Sequence, residues 1–300
     1  MADRHRNRCT ADAIAISVRY APRFAGPRRD RDGNVAVRLR RRQVPRDDAP
    51  GMRVLQAIGL GLLFAVGAVL GVAIGVVVVP VSAWRRARAV HADGVVCRAE
   101  LIARDPSAER LAGPALVRLS GAFGSQTAAS DVLGLDIRMQ RTASDDPTTG
   151  DQDLLLGSFE SFATAGRDRA RTDAGDYLAN TYSTVTPWWL AGRGPVILRL
   201  VPPPAAPAAR GTDRLARLDV DLAADRARFT LAVSTAAGPS AADAPIAELR
   251  LVARLAIDDR SLRASMWRHR RGGLVPVGLR NGIRATVYPM SQLARRLRGG

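Results

Sequence analysis

The chain is 300 residues long and 47% hydrophobic, which excludes a wholly disordered protein and leaves room for one large domain or two modest ones. Its 45 basic residues, none of them lysine, stand against 28 acidic ones and give a net charge of +17. Two cysteines, Cys9 and Cys97, exclude a disulfide scaffold and a cysteine-built zinc site, and three histidines leave little for a multi-histidine metal centre.

The basicity sits at the ends. Residues 1–53 carry 14 Arg and 6 Asp, residues 91–259 carry 18 Arg and 22 acids, and residues 261–300 carry nine Arg and no acid. A duplex-binding domain would carry a basic stripe on its folded face. With a mildly acidic body and no nucleic-acid motif, no nucleic-acid partner is expected.

Residues 1–53 read as a disordered basic arm, with only Val35–Leu39 strand-like; a start at Met52 is the alternative. Residues 54–79 hold no charge. As helix they measure about 39 Å, enough to cross a ~30 Å hydrocarbon core. Arg53 precedes them and Trp84, Arg85, Arg86 and Arg88 follow. The expectation is a single-pass transmembrane helix, with a buried core helix or a cleaved signal at Val81-Ser82-Ala83 as alternatives. Gly67, Gly71 and Gly75 share one helix face, a spacing that would let two copies associate. The basic arm would keep the N-terminus in the cytoplasm; a start at Met52 would reverse the orientation.

Beyond residue 89, strands are expected at Leu116–Ser120, Gly134–Met139, Leu154–Phe159, Val196–Val201, Ala227–Val233 and Ile246–Ile257, divided by turn clusters. Asp213–Leu222 has helical spacing of Leu215, Leu218 and Leu222. Many strands and few helices predict an α+β domain over residues 85–300, an antiparallel barrel with a C-terminal helix. In that last helix Ile283, Val287, Met290, Ala294 and Leu297 fall on one face. Asn281-Gly282 reads as the turn before it, and Pro289 should kink it.

Arg284 and Tyr288 lie four apart on this helix, so their side chains share a face. A guanidinium beside a phenol favours the phenolate, a hard anionic ligand for ferric iron. The pair alone is common and carries little. It stands in company, however. Arg88-Ala89-Val90-His91-Ala92-Asp93-Gly94 opens the folded region, followed by Val117-Arg118-Leu119-Ser120, then Asp131–Arg138, then Tyr182–Thr186 with Trp188-Trp189. Arg284-Ala285-Thr286-Val287-Tyr288-Pro289 and Arg295 come last. In this order the segments resemble those of the haem catalases, over roughly residues 85–298.

The resemblance implies a catalase-like barrel, haem b as cofactor, and a peroxide as substrate. It makes His91 the distal acid–base residue, Ser120 the group that fixes its tautomer, and Tyr288 the iron ligand held by Arg284. Arg88, Arg118 and Arg295 would pair with the haem propionates. The sequence departs from the family where an asparagine is expected: Ser158 or a gap stands there, with Phe159 or Phe162 as the distal aromatic. A haem-dependent, membrane-bound peroxidase acting on hydrogen peroxide or organic hydroperoxides is therefore expected. A haem-free, membrane-anchored scaffold of the same fold is the alternative. His269, in Trp267–Arg271, reads as part of an exposed basic turn.

Overall fold

The computed structural model describes residues 50–85, 91, 94–122, 130–204, 213–235, 243–269 and 271–296. Residues 1–49 of the expected arm, with the strand-like Val35–Leu39, and Arg88 lie outside these residues, as does the side chain of Arg295; residues 50–53, expected in the disordered arm, are instead the first turn of the helix that carries the apolar run. Ten strands form one sheet: β1 (Gly94–Ala103), β2 (Gly113–Gly121), β3 (Leu133–Met139), β4 (Gln152–Gly157), β5 (Tyr182–Ser183), β6 (Trp188–Leu190), β7 (Gly194–Val201), β8 (Arg228–Thr235), β9 (Ala244–Leu255) and β10 (Leu274–Pro276). Pairing of β7 with β8 closes eight of them, in the order β1-β2-β3-β4-β5-β7-β8-β9, into an antiparallel barrel. β6 and β10 extend from β7 as a flap.

Directly paired residues share a face. Cys97, Val117, Ile137 and Leu154 are partners across four strands, Leu119, Leu135 and Leu156 across three, and all lie in the main core. These rows fill the barrel interior. The opposite face of β2 and β4 is also buried, because residues 258–268 lie across it. That is why these strands read as unbroken apolar runs, whereas β7 alternates buried and half-buried positions.

The expected strands form at all six places, with β4 ending at Gly157 rather than Phe159. β1, β5, β6 and β10 were not expected. Three of these are only two or three residues long, too short to carry a period. A short helix, α2 (Ala165–Arg171), follows β4, and α3 (Arg214–Ala223) starts where Asp213 accepts the amide protons of Leu215 and Ala216.

Two long helices complete the fold, α1 (Pro50–Arg85) and α4 (Leu279–Arg296). They run side by side in the same direction, from Gly278 N–H on Leu60 O (3.1 Å) to Met290 against Gly75. Gly67, Gly71 and Gly75 all face α4: a Cβ at Gly71 would stand 2.8 Å from Ile283 O, and one at Gly67 would strike Leu279 O. The glycine face expected to join two copies is thus occupied within the chain. Asn281-Gly282 is not a turn but part of α4. Asn281 is buried against Pro187 O and Thr186, and a Cβ at Gly282 would strike Phe64 O of α1. Gly282 is there for close approach of two helices.

Pro289 lies inside α4, which continues through it. Proline has no N–H, so the carbonyl four residues earlier loses its helical partner. That carbonyl belongs to Ala285, and Trp267 Nε1–H donates to it at 2.7 Å.

Candidate functional site

The site is built on the outer face of the barrel. Ser120, Gly134, Gly157 and Ser183 are directly paired across β2, β3, β4 and β5 and form a row of small residues on that face. Two rings cover the two glycines. A Cβ on Gly134 would stand 2.5 Å from His91 Cε1, and one on Gly157 would stand 2.6 Å from Phe159 Cε1. The imidazole of His91 and the ring of Phe159 therefore lie side by side on neighbouring strands. Phe162 meets Phe159 edge to face at 5.6 Å, and Arg280 of α4 caps Phe162.

His91 is fixed on three sides. Its Nδ1 is 3.1 Å from Ser120 Oγ. Its N–H donates to Ala122 O at 3.0 Å, and its carbonyl accepts from Arg118 Nη2 at 2.8 Å. Ser120 has one hydroxyl proton, and Gly134 O lies 3.4 Å away to receive it. The hydroxyl oxygen is then left to accept Nδ1–H, which puts the imidazole lone pair on Nε2. The backbone of His91 is left-handed, φ 60°.

Arg118 is fully buried beneath this corner. Nε and Nη2 both donate to Asp259 Oδ2, at 2.8 and 2.6 Å, and Nη2 also holds His91 O. Nη1 makes no hydrogen bond among the described residues; Asp136 Oδ2 lies 3.8 Å from it. In this structure Arg118 pairs with Asp259 and positions His91, where a propionate partner was expected.

Arg284 and Tyr288 meet as the helical spacing implies: Arg284 Nε donates to Tyr288 OH at 3.3 Å. Arg284 Nη1 reaches Thr186 Oγ1 at 3.1 Å and Thr184 O at 3.4 Å, just beyond Ser183. The small-residue row thus has His91 over β3 and Arg284 beside β5. Two strand spacings, about 10 Å, separate them. Val185, between the two threonines, has φ 63°, an unusual backbone for a β-branched residue.

Ser158 does not stand in for a distal asparagine. Its hydroxyl accepts from Leu133 N–H at 2.9 Å and bonds Thr172 Oγ1 at 3.0 Å, tying β4 to neighbouring loops. Of the two aromatics expected on the distal side, Phe159 is the one beside His91. The Arg138–Asp153 ion pair was missed in the sequence. Both are buried, with Arg138 Nε and Nη2 on the two carboxylate oxygens at 2.8 and 2.9 Å. Burial pushes the Asp153 carboxyl up, opposed by Arg138, Arg268 and the Ser265 amide. A raised, buried pair is a candidate site in general. Here it pins residues 263–268 across the barrel wall.

Cys97 is buried in the core and burial pushes its thiol up to about 12, so it is no nucleophile. Among the described residues no cluster of His, Cys, Asp or Glu could hold a bare metal ion. His269 is half-buried and, with Trp189, Trp267, Phe64, Gly61 and Val275, lines a cavity of roughly 350 Å³ between α1 and the β6–β10 flap.

No family model matches the chain, and no curated protein does. A solved bacterial catalase structure is similar to it at 12% identity, over 92% of this chain and 67% of the catalase chain, with a TM-score of 0.44.

Proposed function

We propose that this protein binds haem b on the outer barrel face, between Tyr288 and His91, and turns over hydrogen peroxide or an organic hydroperoxide at a membrane. The observation that carries the reading is His91. A histidine in a costly left-handed backbone is held by three bonds, with Ser120 directing its lone pair to Nε2. A structural histidine does not need that arrangement; a proton-transfer group does.

The donor set suits a ferric porphyrin. Tyr288 offers a phenol oxygen with a guanidinium donor beside it, and Phe159 offers a flat apolar surface next to the imidazole. When bound, the haem supplies the redox centre that exchanges electrons with the peroxide. The protein's own part is proton transfer: His91 Nε2 takes the hydroperoxide proton and returns it to the departing oxygen. Ser120 keeps the tautomer that allows this. Arg284 stabilises negative charge on the Tyr288 oxygen. Phe159 and Phe162 limit water beside the imidazole.

One observation favours the haem-free scaffold instead. Arg118 Nε and Nη2 are taken by Asp259 and His91 O, so a haem carboxylate would find only its Nη1 there and would otherwise need Arg88 or Arg295.

Both readings are tested on the full chain, purified in detergent with haem supplied. A Soret band of ferric tyrosinate type is expected. Tyr288→Phe should lose the band, and His91→Ala should keep it while slowing peroxide decomposition by about 10² or more. Folded protein without a Soret band, or unchanged haem retention by Tyr288→Phe, would overturn the assignment.

A further inference from the structure

We infer that α1 lies in the plane of the membrane surface, with its outward face in the lipid, and does not cross the bilayer. The inference deepens the reading of α1 as a membrane anchor and rests on it.

Length and composition alone permit a span: residues 54–76 carry no charge and only 11% of the stretch is buried. The packing does not. α1 meets the rest of the protein from Ala57, at the flap cavity, to Gly75, against Met290. Between them, Phe64 stacks edge-on to Trp267 at 5.6 Å, and Thr286 Oγ1 donates to Ala68 O at 2.9 Å. This docked stretch measures about 27 Å. The ends on either side, residues 50–56 and 76–85, measure at most about 10 and 15 Å, and neither reaches the ~30 Å of a hydrocarbon core. A crossing α1 would carry its docked middle into the core. With it would go α4, including exposed Arg280, buried Asn281 and half-buried Arg284. Charged groups do not belong there.

The other face of α1 is built for a lipid surface. Leu55, Ile58, Leu62, Val66, Val69 and Val76 are all exposed and fall on the side away from the docked stripe, and Leu63, Leu70, Val72 and Ile74 are exposed on its flanks. Such a stripe is far longer than a scattered surface residue or two requires. Trp267 and Val275, also exposed, flank the docked side of the helix, and Trp suits the headgroup level. In the sequence Arg53 precedes the apolar run and Arg85, Arg86 and Arg88 follow it, charges that favour an anionic leaflet over a neutral one. The occupant of this face is therefore an anionic lipid surface.

The test places single cysteines at Gly51, in the first turn of α1, and at Glu100 on β1, both exposed, in a Cys9→Ser background. Cys97 is buried and stays silent. Membranes from cells expressing the full chain are first separated from the soluble fraction. A membrane-impermeant maleimide is then applied to intact and to permeabilised cells. Membrane-bound protein with both cysteines labelled in the same condition is the expected result. Labelling in opposite conditions would show a crossing helix and overturn the in-plane placement while leaving the anchor intact. Recovery in the soluble fraction would overturn the anchor itself. A depth measurement checks the same point: fluorophores at Leu55, Val66 and Val76 should be quenched equally by brominated lipids. A crossing helix would make Val66 the deepest.

Discussion

His91 holds a backbone conformation that costs a residue with a side chain of order 1–3 kcal/mol. It persists because Ala122 and Arg118 bond its two peptide groups. The imidazole and its hydroxyl partner were legible in the sequence through the spacing of the catalase-like segments. The partner of Arg118 was not, because Asp259 lies 141 residues away and reaches it only once the barrel has closed. Arg118 uses a planar fork to hold a carboxylate and a carbonyl at once. Lysine offers a point charge on a flexible stem and cannot bridge both. Arg118→Lys should therefore cost about 2–4 kcal/mol, since it strains a buried pair and leaves His91 O short of a donor. Urea unfolding of the full chain in detergent measures it. An unchanged midpoint would remove Arg118 from the support of His91.

The elements show the same division. α4 was legible from its apolar face, and Ile283 and Met290 of that face do meet α1. Its start was misread. Asn281-Gly282 is a common turn pair, and only the neighbouring helix reveals that the glycine serves close approach and the asparagine a buried bond to Pro187 O. Pro289 was legible as an interruption, but its remedy was not. Trp267 approaches Ala285 O because residues 263–268 are pinned to Asp153 and Arg138. Trp267→Phe keeps a ring against Phe64 and removes only the indole donor. The Ala285 carbonyl is then left without its partner, and a loss of about 1–2 kcal/mol is expected. Thermal unfolding monitored by far-UV circular dichroism reads it. A loss near zero would mean that water replaces the indole.

At the scale of the whole molecule, α1 covers α4 with one face and leaves an apolar face exposed on the other, the face proposed above to meet a lipid surface. The charge-free run from 54 to 79 reads as an anchor and hides the packing, because glycines that pack in cis and glycines that pack in trans look alike in sequence. A barrel was expected from the many strands and few helices, but which strands close it was hidden for a related reason: β7 pairs with β8 through a connection that no local period records. The two faces of α1 should separate by mutation. Leu62→Gln with Val66→Gln alters only exposed positions, so the barrel should melt unchanged while membrane recovery falls. Gly71→Leu forces a side chain into Ile283 and Thr286, so membrane recovery should hold while stability falls by about 1–3 kcal/mol. Sedimentation of membranes and thermal melting, run on both variants, give four readings. If the outward pair lowers the melting temperature as much as Gly71→Leu does, α1 is a core element throughout. If neither variant changes membrane recovery, the outward face is not what holds the protein there.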